Sequence, residues 1–240
     1  MNYKQLIKGI LIIISYFFGA NFLALIFYGL IQRNIIPNYN NFYNLLIYLI
    51  MAIIYVLVYK KSLTMDIKDY KKNYKKYIKK GANYYLKGVF IMIVSNLFLS
   101  YILNLSKSTN ELANIEMFKT SPITQAIIIL LLAPLIEELV FRYSFRKMSD
   151  NIRIFSYVTG IIFGGVHVIS SLSNPIMILM LIPYSAMGVA LGYAYKDTDN
   201  IGTSLTMHMI HNSITLVIII IGIAGGIVWE KKEKKKKQED

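Results

Sequence analysis

Two adjacent carboxylates, Glu137 and Glu138, and a guanidinium, Arg142, lie at the end of a long apolar run. Charged side chains are costly inside a bilayer, so an ionisable cluster in such a run indicates a functional site. The i,i+4 spacing of Glu138 and Arg142 lets them pair on one helix face, whereas Glu137 points about 100° away. Glu138 thus has a local counter-charge, and Glu137 is left as a candidate general base that activates water.

Polar residues also interrupt two later apolar runs, at His167 in the first and at His208 and Asn212 in the second. His208 and Asn212 are spaced i,i+4, so both can donate hydrogen bonds to a developing oxyanion from one helix face. Gly164 and Gly165 precede His167 and would let another helix come close to it. These groups, together with the glutamates, are typical of a catalytic site inside the membrane.

Helix rise places these side chains at similar depths. Glu137 lies about 15 residues before the turn near Asn151 and His167 about 15 residues after it, so each is roughly 22 Å from that turn. His208 lies roughly 15 Å past the next turn, and Asn212 lies roughly 21 Å past it. All four side chains therefore share one layer if the three helices pack together.

Structural roles are the alternative interpretation. The Glu138–Arg142 pair also suits a purely structural contact, and His211 alone is typical of a hydrogen-bonded packing residue. Four polar groups at one depth are harder to explain by packing. Pro134 precedes the glutamates by one turn, removes a backbone hydrogen bond and is expected to kink the helix near the site.

Membrane-spanning helices must position these groups, and the composition favours them. The chain has 240 residues, 55% of them hydrophobic, and about seven apolar runs reach the length that crosses a hydrocarbon core. We predict an all-α polytopic membrane protein of about seven to eight transmembrane helices. It forms a single membrane domain at 1–229 with its motif-bearing core at 121–213. The predicted spans are 9–31, 42–59, 84–105, 121–141, 154–172, 175–195 and 201–228.

The net charge of +13 is concentrated in segment 60–87 and in the tail 230–240. Lysine runs beside membrane spans indicate cytoplasmic topology and a lipid bilayer as partner, and they do not indicate nucleic acid. Segment 60–87 is either a helix lying on the membrane surface or a solvated loop. With this segment inside, the N-terminus is cytoplasmic and 106–120 lies outside. The side of the membrane on which the tail lies is left undecided, because seven spans would place its lysines outside, against the positive-inside rule.

The absence of cysteine excludes disulfides, thiolate zinc ligands and a thiol nucleophile. The first apolar run lacks small residues at its end, so we interpret it as a retained anchor and not as a cleaved signal peptide. Small residues in the sixth predicted span, Ser185, Gly188 and Gly192, allow a close helix approach.

Three motifs occur in order along the predicted core: Glu-Glu-x-x-x-Arg at 137–142, Phe-x-x-x-His at 163–167 and His-x-x-x-Asn at 208–212. Together they resemble those of the CAAX-protease and bacteriocin-processing family of intramembrane proteases, also called CPBP or Abi. The resemblance covers about residues 121–213, and no motif residue is missing. The first three predicted spans carry no motif.

The resemblance implies a membrane peptidase that cuts near the cytoplasmic leaflet. It assigns roles by position to six residues: Glu137 with His167 for water activation, His208 with Asn212 for oxyanion stabilisation, and Glu138 with Arg142 for ordering the site.

The resemblance leaves the cofactor open, because a metalloprotease label and a metal-free glutamate mechanism both exist for the family. The chain lacks the His-Glu-x-x-His zinc signature. Glu137, His167 and His208 could still supply three zinc ligands. We favour the metal-free mechanism because His208 and Asn212 suit paired donors, and zinc is the alternative.

The expected substrate is a peptide or a membrane-anchored protein at the cell membrane. The resemblance implies prenylated CAAX substrates in a eukaryote. In a bacterium it implies bacteriocin leaders, signal peptides or pheromone precursors, with a role in self-immunity or maturation. Two other functions stay open: a non-proteolytic scaffold that regulates membrane proteins, and a transporter with a Glu–His proton relay. The inverted repeats that would favour a transporter are not visible in the sequence.

Overall fold

The computed structural model describes residues 2–105 and 107–239, and it describes their side chains except at residue 40 and residues 227–239. The predicted basic tail at 230–240 therefore lies outside the residues with described side chains. All regular structure in the described ranges is helical. The α-helices are α1 (Tyr3–Gln32), α2 (Asn40–Tyr101), α3 (Thr109–Thr120), α4 (Pro122–Ile127), α5 (Ala133–Phe141), α6 (Ile152–Val168), α7 (Leu181–Thr198) and α8 (Ile201–Glu239).

Six helical segments of the described chain are long and apolar enough to cross a membrane. They are α1, α2, the segment Pro122–Phe145 that contains α4 and α5, and the segments that contain α6, α7 and α8. The predicted all-α polytopic class is confirmed. The predicted second and third spans are not separate helices, because both belong to α2.

Helix α2 is bent. Its 62 residues would extend about 93 Å if the helix were straight. Its first turn contacts the end of α3, since Asn41 Nδ2 donates to Ser121 Oγ at 2.7 Å. Leu99, near its last turn, packs with Val168, close to where α3 begins. The two ends of α2 are therefore separated by little more than the length of α3, about 18 Å.

The middle of α2 forms a basic helix, so the solvated-loop alternative for segment 60–87 is wrong. This part is attached to the tight turn between α7 and α8. The buried Asn200 side chain donates through Nδ2 to Asp66 O and to Asp69 Oδ2, both at 2.9 Å. Lys80 pairs with Asp197 at 3.1 Å. These contacts hold the lysine-rich stretch against one end of the helix bundle.

Helices α6 and α7 approach each other closely through glycines. A Cβ atom added at Gly188 would lie 2.7 Å from the carbonyl oxygen of Gly160. The predicted small-residue face of the sixth span is therefore a packing face, as expected. Gly164 lies against Ser185, but the expectation for Gly165 is wrong, because a Cβ there would meet nothing within 4 Å.

The best-packed part of the core lies between the buried Arg142 and the basic end of the bundle. Side chains there are essentially inaccessible to solvent, with exposed fractions of 0–1% for Phe145, Met148, Phe155 and Tyr195. Tyr195 stacks on Phe155 with ring centroids 5.5 Å apart. This buried aromatic layer fills the bundle between the site and its basic end.

Candidate active site

The glutamates follow an irregular stretch of the segment Pro122–Phe145. Residues Ile128–Leu132 are π-helical, and the N–H of Ala133 donates to Ile128 O, five residues back. In the same register Ile129 O would accept from residue 134, but Pro134 has no N–H. The carbonyl of Ile129 is thus left without its helical donor. Single π-helical turns of this kind are frequent at functional sites.

Glu138 and Arg142 form a fully buried ion pair on the inner face of α5. Both side chains have an exposed fraction of 0%, and Arg142 Nη1 lies 3.2 Å from Glu138 Oε1. The guanidinium also donates through Nη2 to Gly188 O at 3.1 Å. It lies over the ring of Phe163, 4.4 Å from the centroid. A buried pair with this many neighbours fixes the orientation of α5 against α6 and α7.

His208 of α8 lies between the two carboxylates. Its Nδ1 is 2.9 Å from Glu138 Oε1, and because a carboxylate accepts, the Nδ1–H donates. Its Nε2 faces the other carboxylate, 3.5 Å from Glu137 Oε2. Glu138 therefore sets the orientation of the imidazole, and Nε2 is the nitrogen directed at Glu137.

His167 is oriented in a similar way by the backbone. Its Nδ1 lies 2.8 Å from the carbonyl oxygen of Phe163, which can only accept, so Nδ1 carries a hydrogen. Its Nε2 lies 4.0 Å from Glu137 Oε2. The ring is packed between Phe163, at 4.3 Å between centroids, and Tyr184, at 5.2 Å. Both histidines thus present Nε2 towards the same carboxylate oxygen.

Asn212 is held by the carbonyl that the π-helical turn exposes. Its Nδ2 donates to Ile129 O at 2.9 Å. One N–H of the amide is therefore engaged, and the second remains to bond elsewhere. The irregular backbone before the glutamates thus anchors a predicted site residue on another helix.

The predicted site residues meet in one place. Glu137, His167, His208 and Asn212 all line a single cavity of about 340 Å³. Glu138 and Arg142 lie behind this cavity and not in its lining. The arrangement agrees with the expectation that one glutamate faces a cavity while its neighbour is paired with arginine.

Three contacts were missed by reasoning from the sequence. Phe163 packs against Arg142 and His167, and its ring centroid lies 5.7 Å from that of His208. Its place four residues before His167 is the signal that points to this role. The carbonyl of Ile129 is signalled by Pro134 only if the turn is known to be π-helical. The carbonyl of Gly188 has no signal in the sequence.

A zinc ion would need Glu137, His167 and His208 around one point, at about 2.0–2.2 Å from each ligand atom. Two ligands of such a tetrahedral ion are about 3.3–3.6 Å apart. The pair of Glu137 and His208 meets this limit at 3.5 Å, but the pair of Glu137 and His167 exceeds it at 4.0 Å. In the described part of the chain, no three His, Asp or Glu side chains converge closely enough for a metal.

The fold and the site together define a polytopic membrane protein with a Glu–His–Asn site inside its helix bundle. Residues 119–214 match the family model described as "Type II CAAX prenyl endopeptidase Rce1-like". The match confirms the resemblance of this part of the chain to the CAAX-protease and bacteriocin-processing family of intramembrane proteases. The matched family model is that of a peptidase, which indicates a membrane protease. No curated protein and no solved structure matches the chain.

Proposed function

We propose that the protein is an intramembrane endopeptidase that hydrolyses a peptide bond of a membrane-associated substrate with a water activated by Glu137. The observation that carries the proposal is the placement of Glu137 Oε2. It faces the cavity and lies within 3.5 Å of His208 Nε2 and 4.0 Å of His167 Nε2. Glu138, fully buried against Arg142, lacks that access.

The water is held between Glu137 and His167. The water can donate one hydrogen to the Glu137 carboxylate and the other to His167 Nε2. This nitrogen can accept because His167 carries its hydrogen on Nδ1. Glu137 takes the proton as the water oxygen attacks the scissile carbonyl carbon. The proton then passes to the leaving amine, which departs as a neutral group. His167 orients the water throughout this step.

The oxyanion is stabilised from α8. The free N–H of Asn212 donates to it, since the other N–H is bonded to Ile129 O. His208, when protonated, donates with Nε2 while Nδ1 stays on Glu138. Removing one such preorganised donor lowers the rate by about 10²–10³-fold. Glu138 and Arg142 act as positioning residues for His208.

The decisive test compares Glu137→Gln with the wild-type protein. The substitution keeps the shape of the side chain and removes the base, so cleavage should fall by about 10²-fold or more. Peptides released from membranes of cells with and without an active copy would identify the substrate by mass spectrometry. Cleavage by Glu137→Gln at the wild-type rate would remove Glu137 as the base. A cellular effect that survives Glu137→Gln would instead indicate a scaffold.

The proposed mechanism also predicts the response to chelation. No step requires a metal ion, so the purified protein should keep its activity after exhaustive treatment with chelators. The measurement is the cleavage rate before and after treatment, with metal content determined on the same samples. Stoichiometric zinc, with activity lost on its removal and restored by its return, would overturn the metal-free mechanism. In that case Glu137, His167 and His208 would be the ligands.

The proposed substrate is a peptide segment anchored in or on the cell membrane, with the N-terminus of the enzyme in the cytoplasm. Prenylated CAAX proteins are the candidates in a eukaryotic cell. Bacteriocin leaders, signal peptides and pheromone precursors are the candidates in a bacterium. The comparison of released peptides distinguishes these classes, because each leaves a different cleaved end.

A further inference from the structure

Tyr184, near the start of α7, is a neighbour of His167 that belongs to a different helix. The Nδ1–H of His167 donates to Phe163 O at 2.8 Å, which fixes one edge of the imidazole. A single hydrogen bond does not stop the ring from tilting about that edge. The imidazole also lies against two aromatic rings, Phe163 at 4.3 Å between centroids and Tyr184 at 5.2 Å, with 27° between the planes of the latter pair. A tilt of the imidazole would therefore break its stacking on Tyr184.

The ring of Tyr184 reaches His167 because α6 and α7 approach each other closely at this level. A Cβ atom added at Gly164 would lie 2.8 Å from the backbone nitrogen of Ser185. Gly164 precedes His167 by three residues, and Ser185 directly follows Tyr184. The contact between the two rings therefore depends on the small residue at position 164, which lets the backbones come together.

The hydroxyl of Tyr184 is held by the start of α3. It lies 2.6 Å from Oγ of Ser108, the N-cap residue of α3, which has an exposed fraction of 0%. The next residue, Thr109, donates through its backbone N–H to Ser171 Oγ at 2.9 Å. Ser171 follows His167 by four residues. The start of α3 is thus bonded both to the helix that carries Tyr184 and to the segment that follows His167.

The orientation of the imidazole matters for the proposed chemistry. Tyr184 lines the same cavity as Glu137, His167 and His208. In the proposed mechanism His167 accepts a hydrogen of the water through Nε2, which lies 4.0 Å from Glu137 Oε2. A tilt of the ring would move Nε2 away from the position at which the water is held. A displacement of about 1 Å in such a group can cost up to about 10²-fold in rate.

We propose that Tyr184 is a positioning residue for His167, and that the start of α3 holds it in place through Ser108. The proposal rests on the proposed function and adds a residue that belongs to none of the three motifs. Tyr184 acts through its ring, which keeps Nε2 of His167 directed at Glu137. The Ser108 hydroxyl keeps that ring against the imidazole. No proton passes to or from Tyr184 in the reaction.

The main variant is Tyr184→Leu, which removes the aromatic ring. Its kcat should fall by about 10-fold or more with little change in KM, because the water is misplaced while the substrate still binds. Tyr184→Phe keeps the ring and should retain most of the rate. Tyr193→Leu is the matched control and should cleave like the wild type. Tyr193 is also a stacked tyrosine of α7, 5.3 Å from the ring of Tyr84, and it lies outside the lining of the cavity.

The orientation of His167 can also be followed by nuclear magnetic resonance, without catalysis. The chain has three histidines, so labelling of the imidazole nitrogens gives three sets of signals, and His167→Gln identifies one of them. In the wild-type protein we expect a neutral His167 with its hydrogen on Nδ1. In Tyr184→Leu the signals should move towards the average of the two tautomers, because the bond to Phe163 O is broken part of the time. Tyr184→Phe and Tyr193→Leu should resemble the wild type.

Unchanged His167 signals in Tyr184→Leu would overturn the proposal, as would a wild-type kcat for this variant. A change confined to KM would make Tyr184 a substrate contact, and equal losses in Tyr184→Phe and Tyr184→Leu would assign the effect to the hydroxyl; either result also overturns it. If the wild type cleaves no substrate, the proposed function fails, while the His167 signals still test the role of Tyr184.

A second pair of variants tests the connection to α3 and does not require Tyr184→Leu to fold. Ser108→Ala and Tyr184→Phe each remove the bond between the two hydroxyls. The double variant should therefore have a kcat no lower than that of the weaker single variant. Losses that add in the double variant would contradict the anchoring of Tyr184 by Ser108. The thermal midpoint of each variant shows that it is folded.

Discussion

Glu137 and Glu138 are neighbours in the chain and have very different surroundings. One residue step turns a helical side chain by about 100°, so one carboxylate faces the cavity and the other faces the core. Glu138 is fully buried against Arg142 and His208, while 19% of the Glu137 side chain is exposed. We infer that Glu137 activates the water and that Glu138 holds His208 and Arg142 in position.

This difference predicts that substitution of Glu138 lowers stability and that substitution of Glu137 does not. Glu138→Gln leaves the buried Arg142 without a counter-charge, which should cost about 3–5 kcal/mol. The thermal midpoint of the detergent-solubilised protein should therefore fall. Glu137→Gln is the matched control and should unfold close to the wild type, because Glu137 faces the cavity. A Glu138→Gln variant that unfolds like the wild type would show that Arg142 does not depend on this carboxylate.

At the scale of the elements, the π-helical turn at Ile128–Leu132 connects two parts of the site. Its register and Pro134 together leave Ile129 O without a helical donor. Asn212 Nδ2 on α8 donates to this carbonyl instead, at 2.9 Å. The irregularity of one helix thus positions a side chain of another.

We predict that Pro134→Ala lowers cleavage without lowering thermal stability. The new N–H can donate to Ile129 O and would compete with Asn212, whose displacement by about 1 Å can cost up to about 10²-fold in rate. Removing a proline from a helix interior does not by itself destabilise the helix. The measurement is the cleavage rate together with the thermal midpoint.

Pro122→Ala is the control for this prediction. Pro122 lies in the first turn of α4, where a missing N–H breaks no helical hydrogen bond. Its replacement should leave cleavage unchanged. Equal cleavage rates for Pro134→Ala and the wild type would show that cleavage does not require Asn212 to be the sole donor to Ile129 O.

At the scale of the whole molecule, α2 connects the two ends of the bundle. Its basic middle is attached to the turn between α7 and α8 through Asn200, which is 1% exposed. Its ends pack near the two ends of α3. The contacts that hold α2 in place are therefore made to residues distant in sequence.

We predict that Asn200→Ala loosens the middle of α2. The variant loses both hydrogen bonds to α2, and the one to the carboxylate of Asp69 alone should cost about 1.5–3 kcal/mol. It also loses the bond that Asn200 Oδ1 accepts from Gly202 N–H at 2.9 Å at the start of α8. Trypsin should then cut faster at the lysines of segment 60–80, which can be followed by mass spectrometry. Asn73→Ala is the control, since Asn73 bonds the same Asp69 but within α2. Equal sensitivity of the two variants would contradict an anchoring role for Asn200.

Much of the candidate site was predictable from the sequence, because the spacing of its residues within single helices determines where their side chains lie. Helical periodicity sets the angle between Glu137 and Glu138, and helix rise sets the depth of His167, His208 and Asn212. Apolar run lengths predict the all-α membrane class, which is confirmed. These features depend on a single helix at a time, so no knowledge of packing is needed to predict them.

The remaining features are decided by contacts between helices. The sequence predicts two spans around segment 60–87, but both belong to one helix, whose middle and start are bonded to other elements through Asn200 and Asn41. Periodicity does not predict the Ile129 carbonyl as a partner of Asn212, because that bond joins residues on different helices. The position of the cavity also depends on tertiary packing, since Phe145, Phe155 and other buried side chains from separate segments fill the bundle beyond Arg142. Spacing along the sequence determines which side chains share a face of one helix, and only the packed bundle determines which of these groups meet.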